Sequence, residues 1–125
     1  MKVISTPNAP QAIGPYSQAM VTGDLVFTSG QIAIDPATGN IAGSNIEEQT
    51  HQVCRNIKAL LSASGSDINN VVKTVCFLAD MVDFATFNIV YSQYFTSCPA
   101  RSCVAVKTLP KNVLVEIDTV AELNK

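Results

Sequence analysis

The sequence predicts an α+β domain in which one mixed sheet carries both of its helices on the same face. Three observations lead there: short apolar, β-branched runs, two segments whose apolar residues recur at helical spacing, and an order in which strands flank and separate the helices. At 125 residues the chain is expected to form a single domain spanning 1–125 around one core.

Taken in chain order, Gln18–Thr22 and Leu25–Ser29 read as short strands joined across Gly23-Asp24, a two-residue hairpin turn. Asp35–Asn45, with Pro36, Gly39 and Gly43, reads as the longest loop. The first helix is expected over Ile46–Ser64, where Ile46, Val53, Ile57, Leu60 and Leu61 share a face. Ser44-x-x-Glu47 offers a capping box and Gly65 a stop. Val71–Leu78 is a β-branched run and hence a strand. A second helix follows, with Asp80 or Asp83 as its cap, an aromatic stripe of Phe84, Phe87, Tyr91, Tyr94 and Phe95 as its core face, and Pro99 barring continuation. Arg101–Val106 and Val113–Ala121 are the last strands, joined through Leu109-Pro110-Lys111-Asn112. With both helices on one face, the other face of the sheet needs a cover, and a second copy of the chain would supply it.

Composition points the same way. Hydrophobic residues make up 47% and charged residues 14%, against about a quarter charged in an ordinary soluble domain. A short chain has much surface for its volume, so this shortage of charge predicts burial against copies of itself. The net charge is −2 and no basic run is present, so nucleic acid is not an expected partner. Nothing near Met1 reads as a cleaved leader and no apolar run approaches the ~18 residues that span a bilayer. The expected compartment is the cytoplasm, with no membrane partner. Cys54, Cys76, Cys98 and Cys103 show no metal-binding spacing and are expected as free thiols. His51, the single histidine, reads as a surface residue, so neither a zinc site nor a Ser/His/Asp arrangement is expected.

The period of two in a strand groups Arg101 with Cys103 and Ala105, and Glu116 with Leu114, Asp118 and Val120. Two readings of Arg101 and Glu116 stay open at this point. They form a structural ion pair, or the arginine fork binds a substrate carboxylate while the glutamate holds and polarises water.

Pro99-Ala100-Arg101-Ser102-Cys103-Val104, Lys107-Thr108-Leu109 and Val115-Glu116-Ile117 resemble the C-terminal signature of the reactive intermediate deaminase (Rid, or YjgF) family. Ile13-Gly14-Pro15-Tyr16-Ser17-Gln18-Ala19 and Phe27-Thr28-Ser29-Gly30-Gln31 resemble its N-terminal motifs. The resemblance runs from about Thr6 to Ala121. It implies a chorismate-mutase-like fold with a six-stranded mixed sheet, and a homotrimer with clefts between subunits. It also implies 2-iminobutanoate/2-iminopropanoate deaminase activity on small imino or enamino acids, without cofactor or metal. On that resemblance Arg101 binds the substrate carboxylate and Glu116 positions or activates water. Tyr16, Ser29, Gly30, Asn88 and Cys103 line the pocket, Gly30 and Cys103 through their backbones. Asn88 has an equal claim to bracing structure, and Cys103 reads as a wall residue rather than a nucleophile, since no histidine is near it in sequence to activate it. Family members lacking the arginine are not imine deaminases. The rival function is that of members described as translation inhibitors with ribonuclease activity or as ligand-binding trimers. A chorismate-mutase reaction is a third reading, disfavoured because its dianionic substrate wants several cations.

Overall fold

The computed structural model describes residues 1–125. Six strands form one sheet in the order β1-β2-β3-β6-β4-β5. They are β1 (Lys2–Ile4), β2 (Ala19–Thr22), β3 (Leu25–Thr28), β4 (Val71–Leu78), β5 (Ala100–Ala105) and β6 (Val115–Glu122), with helices α1 (Ile46–Ala63) and α2 (Phe84–Tyr94). All neighbours are antiparallel except β4 and β5. A parallel pair needs a crossover connection, and α2 provides it.

The helices begin where local chemistry allows. At the start of α1 the expected capping box is displaced by one residue. Asn45, not Ser44, accepts the Glu48 N–H at 2.8 Å, and the Glu48 carboxylate accepts from the Asn45 amide at 2.8 Å. Gly65, at φ +80°, ends α1, with its N–H on the Ser62 carbonyl and the Ser66 N–H on that of Leu61. Before α2 it is Asp80 whose carboxylate caps, accepting from the Val82 N–H, while Asp83 makes no such bond.

The helical face expected in α1 is the buried one: Val53, Ile57, Leu60 and Leu61 are fully enclosed, each side chain contributing about 1.5–3 kcal/mol by leaving water. They meet Val26 of β3, Cys76 and Leu78 of β4 and Val115, Ile117 and Ala121 of β6 in one cluster. The aromatic stripe of α2 completes it. Tyr91 stacks on Phe95 with centroids 4.4 Å apart and its hydroxyl hydrogen-bonds Thr74 at 2.7 Å. Burial pushes that phenol up to about 12, so it stays neutral. His51 departs from the surface role expected of it: its Nδ1 meets the Tyr94 hydroxyl at 2.8 Å and ties α1 to α2.

The other face of the sheet has no helix. Phe27 and Val104 there are 43% and 48% exposed, and Val75, Phe77 and Val120 are half-buried. These apolar side chains share the open face with Lys73, Glu116 and Asp118.

One difference from the residue-by-residue reading concerns the strands, and the connection into the last strand sets their order. β1 was not expected: it is three residues long and only Ile4 points inward. The last two strands are not neighbours, because Leu109–Asn112 carries the chain from β5, at the edge, over β4 into the middle of the sheet. No helix of the chain is long and apolar enough to cross a membrane.

Candidate functional site

Register decides where the candidate residues stand. Arg101 is paired with Thr74 on β4, and Glu116 with Phe77. Thr74 and Phe77 are three apart and so project to opposite faces. Arg101 and Glu116 of one chain therefore lie on opposite sides of the sheet, and an ion pair within one chain is excluded.

Glu116 stands on the open face beside a cleft of about 370 Å³ lined also by Tyr16, Gln18, Ser29, Gly30 and Lys111, with apolar walls from Ile13, Ile32 and Ile34. The backbone builds this place. Gln31 and Ile117 exchange hydrogen bonds of 2.8 and 3.1 Å across the sheet, which sets Gly30 against Glu116. A methyl carbon added at Gly30 would stand 2.8 Å from Glu116 Cδ and closer still to its Oε2. Glycine is needed here for close approach, not for an unusual φ. Asn56 of α1 donates to the Ile32 and Ile34 carbonyls at 3.1 and 2.8 Å, pinning the next stretch of wall.

Gln18 organises the N-terminal wall. Its amide accepts from the Thr6 N–H at 2.7 Å and donates to the Thr6, Ala9 and Pro10 carbonyls. Ser29 donates its hydroxyl to the Ser17 carbonyl at 2.6 Å, so its proton is engaged in structure while its oxygen borders the cleft. Tyr16, half exposed, follows a tight turn closed by its own N–H on the Gly14 carbonyl at 2.8 Å. A groove of about 450 Å³ runs alongside under the N-terminal segment and has no carboxylate or cation in its lining.

The Glu116 carboxyl is held above its ordinary range, first by burial and then by the charge of Asp118 two residues on. Burial likewise raises Asp118. A carboxyl raised in this way is a better proton acceptor once ionised.

Arg101 lies on the helix-bearing face, in a separate cleft of about 360 Å³ formed with Asn88, Tyr91, Ser92, Phe95 and Cys98. Its Nη1 donates to Asn88 Oδ1 at 2.8 Å. Its guanidinium carbon lies 4.9 Å from the Tyr91 ring centre and 5.5 Å from that of Phe84. Both rings and the amide come from α2, which fixes the fork in place. Cys103 is one inward position further along β5, half-buried, and its thiol is raised by burial with Arg101 pulling part of the way back. The protonated thiol is a poor nucleophile. No three His, Cys, Asp or Glu side chains converge as a metal site would need.

The structure thus gathers Tyr16, Ser29, Gly30 and Glu116 at one place and Asn88 and Arg101 at another, with Cys103 beside the second. Reading the sequence missed Gln18 as the hub of the wall and Lys111 in the lining of the Glu116 cleft. A glutamine directly before an apolar strand was the available sign for the first. Lys111 follows Pro110 in a turn whose path no pattern discloses.

The fold is the α+β fold of Rid proteins, a six-stranded mixed sheet with two helices. The family model described as Endoribonuclease L-PSP matches residues 6–123, and the chain belongs to that family, the one its motifs resemble. It is 53% identical to the RutC family protein PH0854 of Pyrococcus horikoshii over 96% of both chains. With the 2-iminobutanoate/2-iminopropanoate deaminase of Salmonella typhimurium it shares 47% identity over 96% of each. The crystal structure of E. coli TdcF with bound serine superimposes with a TM-score of 0.94 at 42% identity, covering 99% of this chain and 100% of that one. The family includes imine deaminases, and their fold is the fold of this chain.

Proposed function

We propose that this protein hydrolyses 2-imino acids such as 2-iminopropanoate and 2-iminobutanoate to 2-oxo acids and ammonia, at sites formed where one subunit's Arg101 meets the next subunit's Glu116. The observation that carries the reading is the division of the site. A fixed guanidinium and a raised carboxylate occupy opposite faces of one sheet, each with half the groups that the reaction needs. A homotrimer, with the open face of each sheet covered by a neighbour, brings unlike halves together as a cyclic, head-to-tail interface does. Homology to the Salmonella deaminase supports the substrate class, and the serine held by TdcF supports a site that takes a small α-carboxylate.

The chemistry asks little beyond position. A protonated imine carbon is already a strong electrophile, so orientation and proton transfer suffice. Arg101, braced by Asn88, takes the substrate carboxylate in a two-pronged grip and sets C2 over the Glu116 cleft. Glu116 holds a water and accepts its proton as the oxygen bonds to C2. Glu116 then passes this proton to the nitrogen of the carbinolamine; as the C–N bond breaks and the carbonyl forms, the freed Glu116 carboxylate takes up the hydroxyl proton and gives it to the departing ammonia, which leaves as ammonium.

Subunit mixing tests the shared site. Arg101→Lys and Glu116→Gln proteins, each nearly inactive on 2-iminopropanoate, are unfolded together and refolded as mixed oligomers. One interface in four then joins a native Arg101 to a native Glu116, so about a quarter of native activity returns. No recovery in mixed oligomers overturns a site built from two chains. Native protein that leaves the semicarbazone-trapped imine signal of an amino-acid oxidase reaction unchanged overturns the function itself.

A further inference from the structure

Lys111 is the one cation in the lining of the Glu116 cleft. It is carried on a short, firmly held turn. Pro110 opens the turn, the Asn112 N–H closes on the Leu109 carbonyl at 3.1 Å, and the Val113 N–H closes on that of Pro110 at 3.3 Å. Leu109 and Val113, on either side, are buried and anchor it. Lys111 itself holds φ +55° and ψ 22°, in the left-handed region that disfavours most L residues. Glycine or asparagine would meet that backbone demand more easily, so the turn alone does not account for a lysine here. Two clefts meet at this residue. Lys111, Ile13 and Ile34 line the Glu116 cleft and also an adjoining one of about 350 Å³ that runs on to Pro36 and Gly39, whereas Glu116 lines only the first. The carboxylate therefore stands at one end of a path with apolar walls, and the ammonium stands toward the other. The two are not joined, since burial and Asp118 set the proton affinity of Glu116 without a contribution from Lys111.

We propose that Lys111 is a specificity-determining residue that admits dicarboxylic 2-imino acids, such as 2-iminosuccinate and 2-iminoglutarate, by pairing with the side-chain carboxylate while the reacting carbon lies over Glu116. This rests on the reaction proposed above and leaves its chemistry as it is: water adds at C2, the C–N bond breaks and the 2-oxo dicarboxylate forms. A substrate with one carboxylate, taken by Arg101 of the next subunit, leaves the Lys111 ammonium without a partner. A substrate with two carries its second charge into a cleft that already holds Glu116, where like charges repel. Lys111 offsets that repulsion. It is a point charge with three donors on a flexible stem, suited to meeting an anion at the rim of a cleft, while Ile13 and Ile34 face the methylenes between. The class of reaction that supplies such imines is the oxidation of acidic amino acids.

The test compares two imines. An amino-acid oxidase generates 2-iminoglutarate or 2-iminobutanoate, the imine is trapped as its semicarbazone, and the ratio of kcat/KM for the two is measured. Native protein should consume both. Lys111→Met keeps the length of the stem and the same backbone demand, and its ratio should fall about tenfold in favour of 2-iminobutanoate, while Lys111→Arg should stay within about twofold of native. Lys111→Glu should lower the ratio further than methionine does. An unchanged ratio in Lys111→Met, or equal losses on both imines, overturns the assignment, and so does a native protein that consumes 2-iminobutanoate and not 2-iminoglutarate. Calorimetric binding of the products separates this inference from the proposed reaction. Native protein should bind 2-oxoglutarate about tenfold more tightly than Lys111→Met does, with the affinity for 2-oxobutanoate changed far less. If that difference is found and neither imine is consumed, the reaction fails and the dicarboxylate subsite stands. If the difference is absent, the subsite fails whatever the turnover.

Discussion

The two half-sites are built on opposite principles. Around Arg101 the side chain itself is restrained, by an amide at 2.8 Å and two aromatic rings on a helix that is part of the core. Around Glu116 the backbone is restrained and the carboxylate is not: paired hydrogen bonds fix Gly30 and Ile117, and the acid occupies the space that a missing Cβ leaves. A group that must hold a substrate in one orientation gains from being fixed, because little order remains to be imposed on binding. A group that must exchange a proton needs a set environment and freedom to move. The difference matches the two roles proposed for Arg101 and Glu116.

The largest effects should come from breaking each half in its own way. Arg101→Lys keeps the charge but loses the planar fork and the flat stacking between rings. On the order of a hundredfold in kcat/KM should be lost if about 3 kcal/mol of transition-state stabilisation depends on that fork. Glu116→Gln preserves size but cannot take a proton. Its kcat should fall by a factor on the order of a hundred or more, with much less change in affinity for the product pyruvate. Steady-state kinetics with pyruvate inhibition separates the two patterns. Variants that are well folded, oligomeric and fully active would remove both residues from the site.

Gly30→Ala probes the backbone-built half without replacing an acidic group. The new methyl would collide with the end of a flexible glutamate, not with main chain, so the carboxylate yields and the fold does not. About tenfold lower kcat with a melting temperature near native is expected. A melting temperature that falls sharply while kcat holds would mean that Gly30 serves only the geometry of the sheet.

Which parts of this comparison were legible beforehand depends on how far apart the interacting residues are in sequence. The buried face of α1, the β4 run and the aromatic face of α2 are local patterns, and Ile57, Leu60 and Phe87 are buried as their spacing requires. The cap of α1 moved by one residue because Ser44-x-x-Glu47 and Asn45-x-x-Glu48 satisfy the same rule and only geometry chooses. β1 was illegible because one inward residue makes no pattern. The division of the site was illegible for a different reason. Alternation sorts residues within a strand, but the relation of Arg101 to Glu116 depends on how β5 and β6 each register against β4, and no sequence period encodes that. The resemblance named these residues together, while the residue pattern left open whether they could meet within one chain.

The smallest predicted effect concerns Asn88, which tests whether the fixed half of the site is fixed for a reason. Asn88 Oδ1 is the neutral acceptor for Arg101 Nη1 at 2.8 Å, on a surface that water reaches. Alanine removes the acceptor, and water takes its place, so the loss is well below that of a buried charged hydrogen bond. Roughly a three- to tenfold rise in KM is expected, equivalent to about 1 kcal/mol, with kcat changed less and the melting temperature near native. Asn88→Asp makes the sharper test. Aspartate can still accept from Arg101, so a residue that only braces α2 against β5 would tolerate it. A residue that orients the guanidinium for an incoming carboxylate would not, because the new carboxylate neutralises the charge and competes for the same fork. KM should therefore rise more in Asn88→Asp than in Asn88→Ala, with the gap narrowing as added salt screens the competing charge. The reverse order, aspartate near native and alanine less stable, would show that Asn88 holds the helix and that the rings of Phe84 and Tyr91 suffice to hold Arg101.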